Sequence, residues 1–202
     1  MSQLCNTYIN GCIEADCAAP MFSGVSYEAL LFNFDQVNSL KPNNNIISAI
    51  TMAEDPDTHE PYCGGYTVKQ LGNRPFDGSQ TELVEGNYGN KFNHTVVFAV
   101  PDNGPYISHN IIDNLANGRF IAILKNDYVH SGSNAGDNKY QIYGGSKGLR
   151  ATSIVREVWG DNESFWIVTL VEENAPTSGM FFYDTDEATT DEAFESLKCD
   201  CR

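Results

Sequence analysis

Between positions 91 and 100 the chain reads Lys91-Phe-Asn-His-Thr-Val-Val-Phe-Ala-Val100, ten residues without a proline or glycine. Successive side chains of a strand point to opposite faces. Phe92, His94, Val96, Phe98 and Val100 therefore share one face, and Asn93, Thr95, Val97 and Ala99 share the other. The abundance of β-branched and aromatic residues supports the same reading, a half-buried strand inside a sheet.

On the C-terminal side the period changes. Ile111, Ile112 and Leu115 recur at helical spacing between Ser108 and Gly118, with Asn117-Gly118 as the stop signal, so one short amphipathic helix is expected. It leads into Arg119-Phe-Ile-Ala-Ile-Leu-Lys125, an apolar run suited to a strand covered on both faces. Residues 126–138 form a Gly/Ser/Asn loop long enough to suggest a contact role. Three strand-like segments follow, Lys139 to Tyr143, Leu149 to Trp159 and Ser164 to Glu173. The last two flank the polar turn Gly160-Asp-Asn-Glu163 and read as a β-hairpin. Gly179 to Tyr183 is a final strand, and Asp186 or Thr190 caps a helix that runs to about Leu197 with Phe194 and Leu197 facing inward.

On the N-terminal side, Thr81 to Val84 is a short strand before the turn at residues 85–90, and residues 69–79 form a loop. Tyr62 to Val68 is aromatic-rich, and Ala53 to Pro61 is a polar loop between prolines. Glu28 to Phe34 and Ile46 to Met52 read as successive strands joined through Lys41-Pro-Asn-Asn-Asn45. The expected fold is mainly β (α+β), a β-sandwich or small closed barrel of about nine short strands flanked by one or two short helices. The expected organisation is an extended Cys-rich N-terminal arm at 1–24, the β domain at 25–198, and a Cys-containing C-terminal tail at 199–202.

Composition narrows the function. In 202 residues, 12 Lys and Arg face 27 Asp and Glu, a formal net charge of −15. Such a field repels phosphate backbones and anionic lipid surfaces, which argues against tight nucleic-acid binding. No apolar run approaches the roughly 18 residues of a membrane-spanning helix. Residues 1–20 show neither the basic start nor the apolar core of a secretory signal, so synthesis in a cytoplasm is expected.

Chemistry-bearing residues are scattered. Cys5, Cys12 and Cys17 crowd the N-terminal arm, Cys63 is isolated, and Cys199 and Cys201 close the sequence. Without C-x-x-C knuckles or paired histidines the zinc signal is weak. Reduced thiols are the plain reading, with disulfides if the mature object leaves the cell. His59, His94, His109 and His130 show no metal-binding spacing, and His94 is expected to be a hydrogen-bonded residue on a sheet face. Asp55-x-Asp57-x-His59 and Asp184-x-Asp186 resemble pieces of calcium loops but lack the glycine at loop position six, and only the second has an acidic residue, Glu195, at position twelve. Asp186 and Glu187 suit the start of the terminal helix instead. Gly144-Gly-Ser-Lys-Gly148 does not match a phosphate-binding loop and precedes a strand, so it is read as a turn. No G-x-S-x-G elbow is present. Asn93-His-Thr95 and Asn162-Glu-Ser164 match the glycosylation pattern but are read as strand and turn residues. No catalytic, cofactor-binding or metal-binding residue is assigned, and a non-enzymatic protein is expected.

Three runs carry a resemblance: Lys91-Phe-Asn-His-Thr-Val-Val-Phe98, Ile112-Asp-Asn-Leu-Ala-Asn-Gly-Arg-Phe-Ile-Ala-Ile-Leu124 and Tyr143-Gly-Gly-Ser-Lys-Gly-Leu149. Residues 85–198 resemble virion structural proteins of tailed bacteriophages, in particular tail-tube and tail-ring subunits of phages of gut bacteria, the crAss-like group among them. The resemblance implies a sandwich or small barrel repeated as a six- or twelve-fold ring around a DNA conduit. The implied partners are copies of the chain and adjacent ring, tail or portal proteins, in a virion assembled in the host cytoplasm. On that view unpaired sheet rims become subunit joints, the N-terminal arm and the 126–138 loop reach neighbours, and the region of Arg119 contributes to assembly. A second expectation, from another class, is a carbohydrate- or cell-surface-binding sandwich that stacks Tyr62, Tyr66, Tyr128 or Trp159 on its ligand.

Overall fold

The computed structural model describes residues 24–199 other than 71, 73, 87, 88, 130–134 and 159–164. The N-terminal arm therefore falls, but for its last residue, outside the described residues. Among the described residues twelve strands and three α-helices follow one another. β1 (Val25–Asn33) is followed by a 3-10 turn and by β2 (Val37–Leu40), β3 (Ile46–Ile47) and β4 (Ile50–Met52). β5 (Tyr66–Lys69), β6 (Gln80–Val84) and β7 (Lys91–Val100) come next. A helical segment then runs through α1 (Pro105–Ile107), a π-helical turn (Ser108–Ile112) and α2 (Asp113–Asn117). β8 (Phe120–Asn126), β9 (Tyr140–Tyr143), β10 (Arg150–Arg156), β11 (Trp166–Ala175), β12 (Met180–Phe182) and α3 (Glu187–Ser196) complete the order.

A six-stranded sheet in the order β3-β12-β9-β8-β1-β5 lies against a four-stranded sheet in the order β10-β11-β7-β6. Their facing sides bury Ala29, Ala122 and Leu124 from the first with Val96, Phe98, Val168 and Leu170 from the second. The other side of the six-stranded sheet buries Leu30, Phe32, Ile121, Ile123 and Phe182 with Ile47, Ile50 and Phe194. The six-stranded sheet is thus a middle layer. This explains why β8 hides five consecutive residues, Phe120 to Leu124, whereas β7 alternates. The sandwich is observed, and the closed-barrel alternative is not, because β3 and β5 remain as edges of the larger sheet.

The third layer, α3 with the β2–β4 pair, covers the outer side of the six-stranded sheet, and its helix is fastened by polar contacts. Lys139 donates to Glu187 and Asp191 at 2.7 Å each, and the Tyr140 hydroxyl donates to Asp191 at 2.8 Å. The Tyr140 ring stacks on Phe194 with centroids 4.3 Å apart. Burial and the Asp191 bond push the Tyr140 phenol up. For Asp191, burial acts upward but the Lys139 ammonium outweighs it and holds the carboxyl below its ordinary range. Asp186, rather than Thr190, caps α3, its carboxylate accepting from Thr189 N–H at 2.8 Å.

Three readings need correction. The single strand expected from Ile46 to Met52 is two short strands in different sheets, β3 beside β12 and β4 beside β2. Ile47 and Ile50 are both buried three positions apart, a spacing that an alternating strand cannot satisfy, and the chain turns outward at Ser48 and Ala49. This split and the unanticipated β2 contribute to a count of twelve strands among the described residues, against about nine expected. The helix begins at Pro105 and contains a π-helical turn, and Gly118 does not end it in a left-handed conformation: its φ is −84°. Glycine is required there by crowding, since a Cβ would press on the Phe120 ring and lie 2.9 Å from the Asn114 carbonyl oxygen. Cys199 is not a free tail residue, because it is disulfide-bonded to Cys63 and its N–H donates to Gly65 O at 2.9 Å. The reduced-thiol reading fails for that pair. Cys5, Cys12, Cys17 and Cys201 lie outside the described residues.

Candidate functional site

A cleft of about 810 Å³ opens where β5 and the end of β7 face the helical segment. Its floor is apolar, with Leu31, Phe98, Val100, Ile111, Leu115 and Phe120. Tyr66 and Tyr106 stand beside it, 45% and 68% exposed. Asn110 and Asn114 donate their side-chain N–H groups back along the helix, to Tyr106 O at 3.1 Å and Asn110 O at 2.7 Å. Their side-chain carbonyl oxygens take no part in these two bonds. The π-helical turn widens this wall, a distortion that recurs at functional sites. Among the described residues lining the cleft none carries a carboxylate or an imidazole, and Cys199 has no free thiol. Lys69 is the charged member, 3.8 Å from Glu28. The arrangement offers apolar contact, aromatic faces and amide oxygens, which is a binding surface in kind.

A second cluster is sealed inside the sandwich. His94 Nδ1 lies 3.2 Å from Glu172 Oε2, and His94 Nε2 lies 3.1 Å from Thr177 O. Each ring nitrogen thus has one hydrogen-bond partner, a carboxylate oxygen on one side and a backbone carbonyl on the other. Glu172 Oε1 accepts from the N–H groups of Ser146 at 3.0 Å and Lys147 at 2.5 Å. Burial acts to raise the Glu172 carboxyl, but the His94 and backbone hydrogen bonds outweigh it and leave the group below its ordinary range. The side chains are 3% and 1% exposed, so no substrate reaches them and the cluster is architectural. The glycine turn at 144–148, considered as an anion cradle, does hold an anion: the protein's own carboxylate. Gly144 and Gly148 both have φ of 82°, which turns these N–H groups inward. Glu172 lies opposite His94 in the continuous β11–β7 register, which shifts only beyond it, between Glu172 and Ala175.

The edges of the four-stranded sheet form a third feature. Beyond β6, side chains close the rim of β7. Ser79 Oγ accepts from Val97 N–H at 3.0 Å, and the Gln70 amide bonds Ala99 N–H and C=O at 2.7 and 2.9 Å. β6 itself is the edge, with Leu83 54% exposed, and on the opposite side Val155 of β10 is 45% exposed.

The remaining candidates have local uses. Asp55 accepts from Asp57 N–H at 2.8 Å, so Asp55-x-Asp57-x-His59 is a side-chain-braced turn with His59 at φ 58°. Asp184 N–H donates to Thr190 Oγ1 at 3.0 Å, and Glu195 pairs with Lys198 at 2.7 Å. His109 is exposed, 3.9 Å from Asp113. Asn93 Oδ1 accepts from Asn174 N–H at 3.0 Å. Arg119 pairs with Asp35 and lies over the Phe34 ring at 4.9 Å, so it has partners within its own chain. Of the aromatics considered for stacking, Tyr66 is at the cleft, Tyr62 and Tyr128 are half-buried, and Trp159 is outside the described residues, as are His130, Asn162 and the centre of the 126–138 loop. Among the described residues no group of three His, Cys, Asp or Glu side chains is placed to hold a metal ion, and no helix is long and apolar enough to cross a membrane.

Sequence reasoning missed the cleft because its walls come from β1, β5, β7 and the helix, with no local pattern to join them. It also missed the pairing of His94 with Glu172, although both fall on the inward-facing register of their strands.

Fold and site together define an open, three-layer β-sandwich with an apolar cleft and buried polar clusters. No protein-family model, curated protein or solved structure matches the chain.

Proposed function

We propose that the chain is a non-enzymatic structural subunit that assembles through its sheet edges, and that the assembly is a ring of the tail or head-to-tail connector of a tailed-phage virion surrounding the DNA conduit. The observation that carries this reading is the β6 edge, a five-residue strand with four exposed residues, Leu83 among them. An open strand edge is an aggregation hazard on a solitary molecule and a natural joint in a closed ring. The net charge of −15 fits a conduit wall, since acidic side chains keep duplex DNA from adhering. The resemblance of residues 85–198 to tail-tube and tail-ring proteins supplies the virion. Purified protein is expected to elute as a discrete oligomer on size-exclusion chromatography with light scattering and to show rings by electron microscopy. Leu83→Lys should shift it to monomer while the urea unfolding midpoint stays in place. A wild-type chain that remains monomeric at high concentration refutes the reading.

The cleft favours a second reading, binding of a carbohydrate or cell-surface glycan. Tyr66 and Tyr106 offer aromatic faces beside amide acceptors, the combination that takes up a sugar's apolar face and hydroxyl rim. In titration calorimetry with oligosaccharides, Tyr66→Ala and Tyr106→Ala should each weaken binding about tenfold or more, which corresponds to about 1.4 kcal/mol. Absence of binding across a neutral glycan panel removes this reading.

A further inference from the structure

The four-stranded sheet ends in β6 on one side and β10 on the other, and these two edges run in opposite directions. β6 is antiparallel to β7, β7 to β11, and β11 to β10. A second copy shifted sideways within the plane of the sheet therefore brings its β10 antiparallel to the β6 of the first, and the alternation continues across the joint. Among the described residues no further strand pairs with either edge.

Backbone polarity shows which groups are open. In a strand the N–H and C=O of one residue point to one side and those of the next to the other. Val97 and Ala99 of β7 turn their N–H groups to the β6 side, where Ser79 and Gln70 accept them. The odd-numbered residues of β7 therefore bond Gln80, Glu82 and Val84, and Thr81 and Leu83 turn their backbone groups to the free edge. By the same alternation β7 bonds β11 through Val96 and Phe98, β11 bonds β10 through Ile167 and Thr169, and Ile154 turns its backbone groups to the free edge of β10. The two edges also differ in charge. Glu82 on β6 and Arg150 on β10 are both exposed on the outer face of the sheet, and among the described residues neither forms an ion pair.

We propose that β6 of one copy pairs with β10 of the next, with Thr81 opposite Ile154 and Glu82 beside Arg150; the joint rests on the assembly reading and names its two halves. In this register Glu82 falls opposite Ser153. The bulge between Ala151 and Ser153 makes Arg150 the next side chain on that face, a diagonal neighbour of opposite charge. Leu83 falls on the inner face with Ala151 and Ile154, which pack against the core. Like edges do not suit one another: β6 against β6 sets Glu82 opposite or diagonal to the same residue of the other copy, and like charges so placed repel. Because the two halves are different surfaces, each added copy presents a fresh edge, and growth ends only when a ring closes.

Engineered cysteines test it. Glu82 and Ser153 form a non-hydrogen-bonded pair across the joint, about 4.5 Å apart at Cα and within reach of a disulfide. Oxidation of the chain carrying both Glu82→Cys and Ser153→Cys should give a ladder of covalent species beyond the dimer on a non-reducing gel. Each single variant should cross-link no more than wild type, which sets the background of the native cysteines, and an equal mixture of the two should give covalent dimer. Charge supplies a second readout. Glu82→Arg and Arg150→Glu should each raise the concentration for half-assembly about tenfold, and a chain carrying both should recover it, with the urea midpoint unchanged throughout. Covalent dimer from Glu82→Cys alone overturns the proposal, because β6 then meets β6. An oligomer that neither cross-links nor responds to the charge reversals overturns it too, and leaves the assembly reading standing with its joint elsewhere. A chain that stays monomeric refutes the assembly reading and this joint with it.

Discussion

Replacing Glu172 with alanine is expected to destabilise the fold by about 3–5 kcal/mol, because several buried groups lose their hydrogen-bond partner at about 1–3 kcal/mol each. The carboxylate gathers His94 Nδ1 and the N–H groups of Ser146 and Lys147, and all three donors lose their acceptor within a packed interior. For a chain of this size the melting temperature should fall by about 10 °C, at about 2–4 °C per kcal/mol. His94→Ala removes the same contact from the other side, so the double variant should cost clearly less than the two single losses together. The pH dependence has a definite sign. The folded-state Glu172 carboxyl lies below its ordinary value, which means that the unfolded chain takes up the proton first as acid is added. Its contribution is fully present above the unfolded pKa of about 4.3 and is lost as pH falls through the lower folded value. Urea unfolding from pH 6 down to pH 3 should therefore narrow the gap between wild type and Glu172→Ala. A gap that stays constant or widens on acidification contradicts the assigned role.

The same cluster marks the boundary of what the sequence discloses. Periodicity placed His94 on the inward face of β7, and the burial of Val96 and Phe98 beside it follows that period. The apolar run at β8, the β10–β11 pair and the Asp186-capped helix are equally legible, because each rests on interactions within a few residues or on a single buried face. What failed to show were features made by distant residues meeting. Glu172 lies 78 positions from His94, and no local rule connects an acid in one strand with a glycine turn in another segment. Ile46 to Met52 misled because its apolar spacing serves two layers at once. The cleft shares this character: its floor is built from side chains whose local patterns read only as ordinary core.

This division bears on function. The residues with chemical potential in the sequence, His94, the 144–148 glycine turn and the acidic pairs, are spent on holding the layers in register. Among the large apolar side chains left facing solvent are Leu83 and Val155 on strands and Tyr66 and Tyr106 beside the cleft. On the assembly and glycan readings proposed above, these are the side chains that would meet the partner.

Loss of the Cys63–Cys199 bond is expected to cost about 2–5 kcal/mol, the usual range for removing a native disulfide. The bond closes a loop with a sequence separation of 136, for which chain-entropy reasoning gives about 5 kcal/mol, near the top of that range. Its native-state partners favour the same end of the chain. Lys198 pairs with Glu28 at 3.2 Å and Glu195 at 2.7 Å, and although burial acts against its charge, these two carboxylates hold its ammonium above the ordinary range. A Cys63→Ala/Cys199→Ala chain should unfold at lower urea and with a steeper denaturant slope, because its denatured state is no longer cross-linked and exposes more surface. Wild-type protein in excess dithiothreitol should reproduce both changes, and identical curves with and without reductant would show that the native protein does not carry the bond. Cytoplasmic glutathione keeps thiols reduced, whereas a released particle meets oxidising surroundings. On the virion reading, alkylation before and after release should find Cys63 free inside the host and bonded outside, so that the subunit is cross-linked only after assembly.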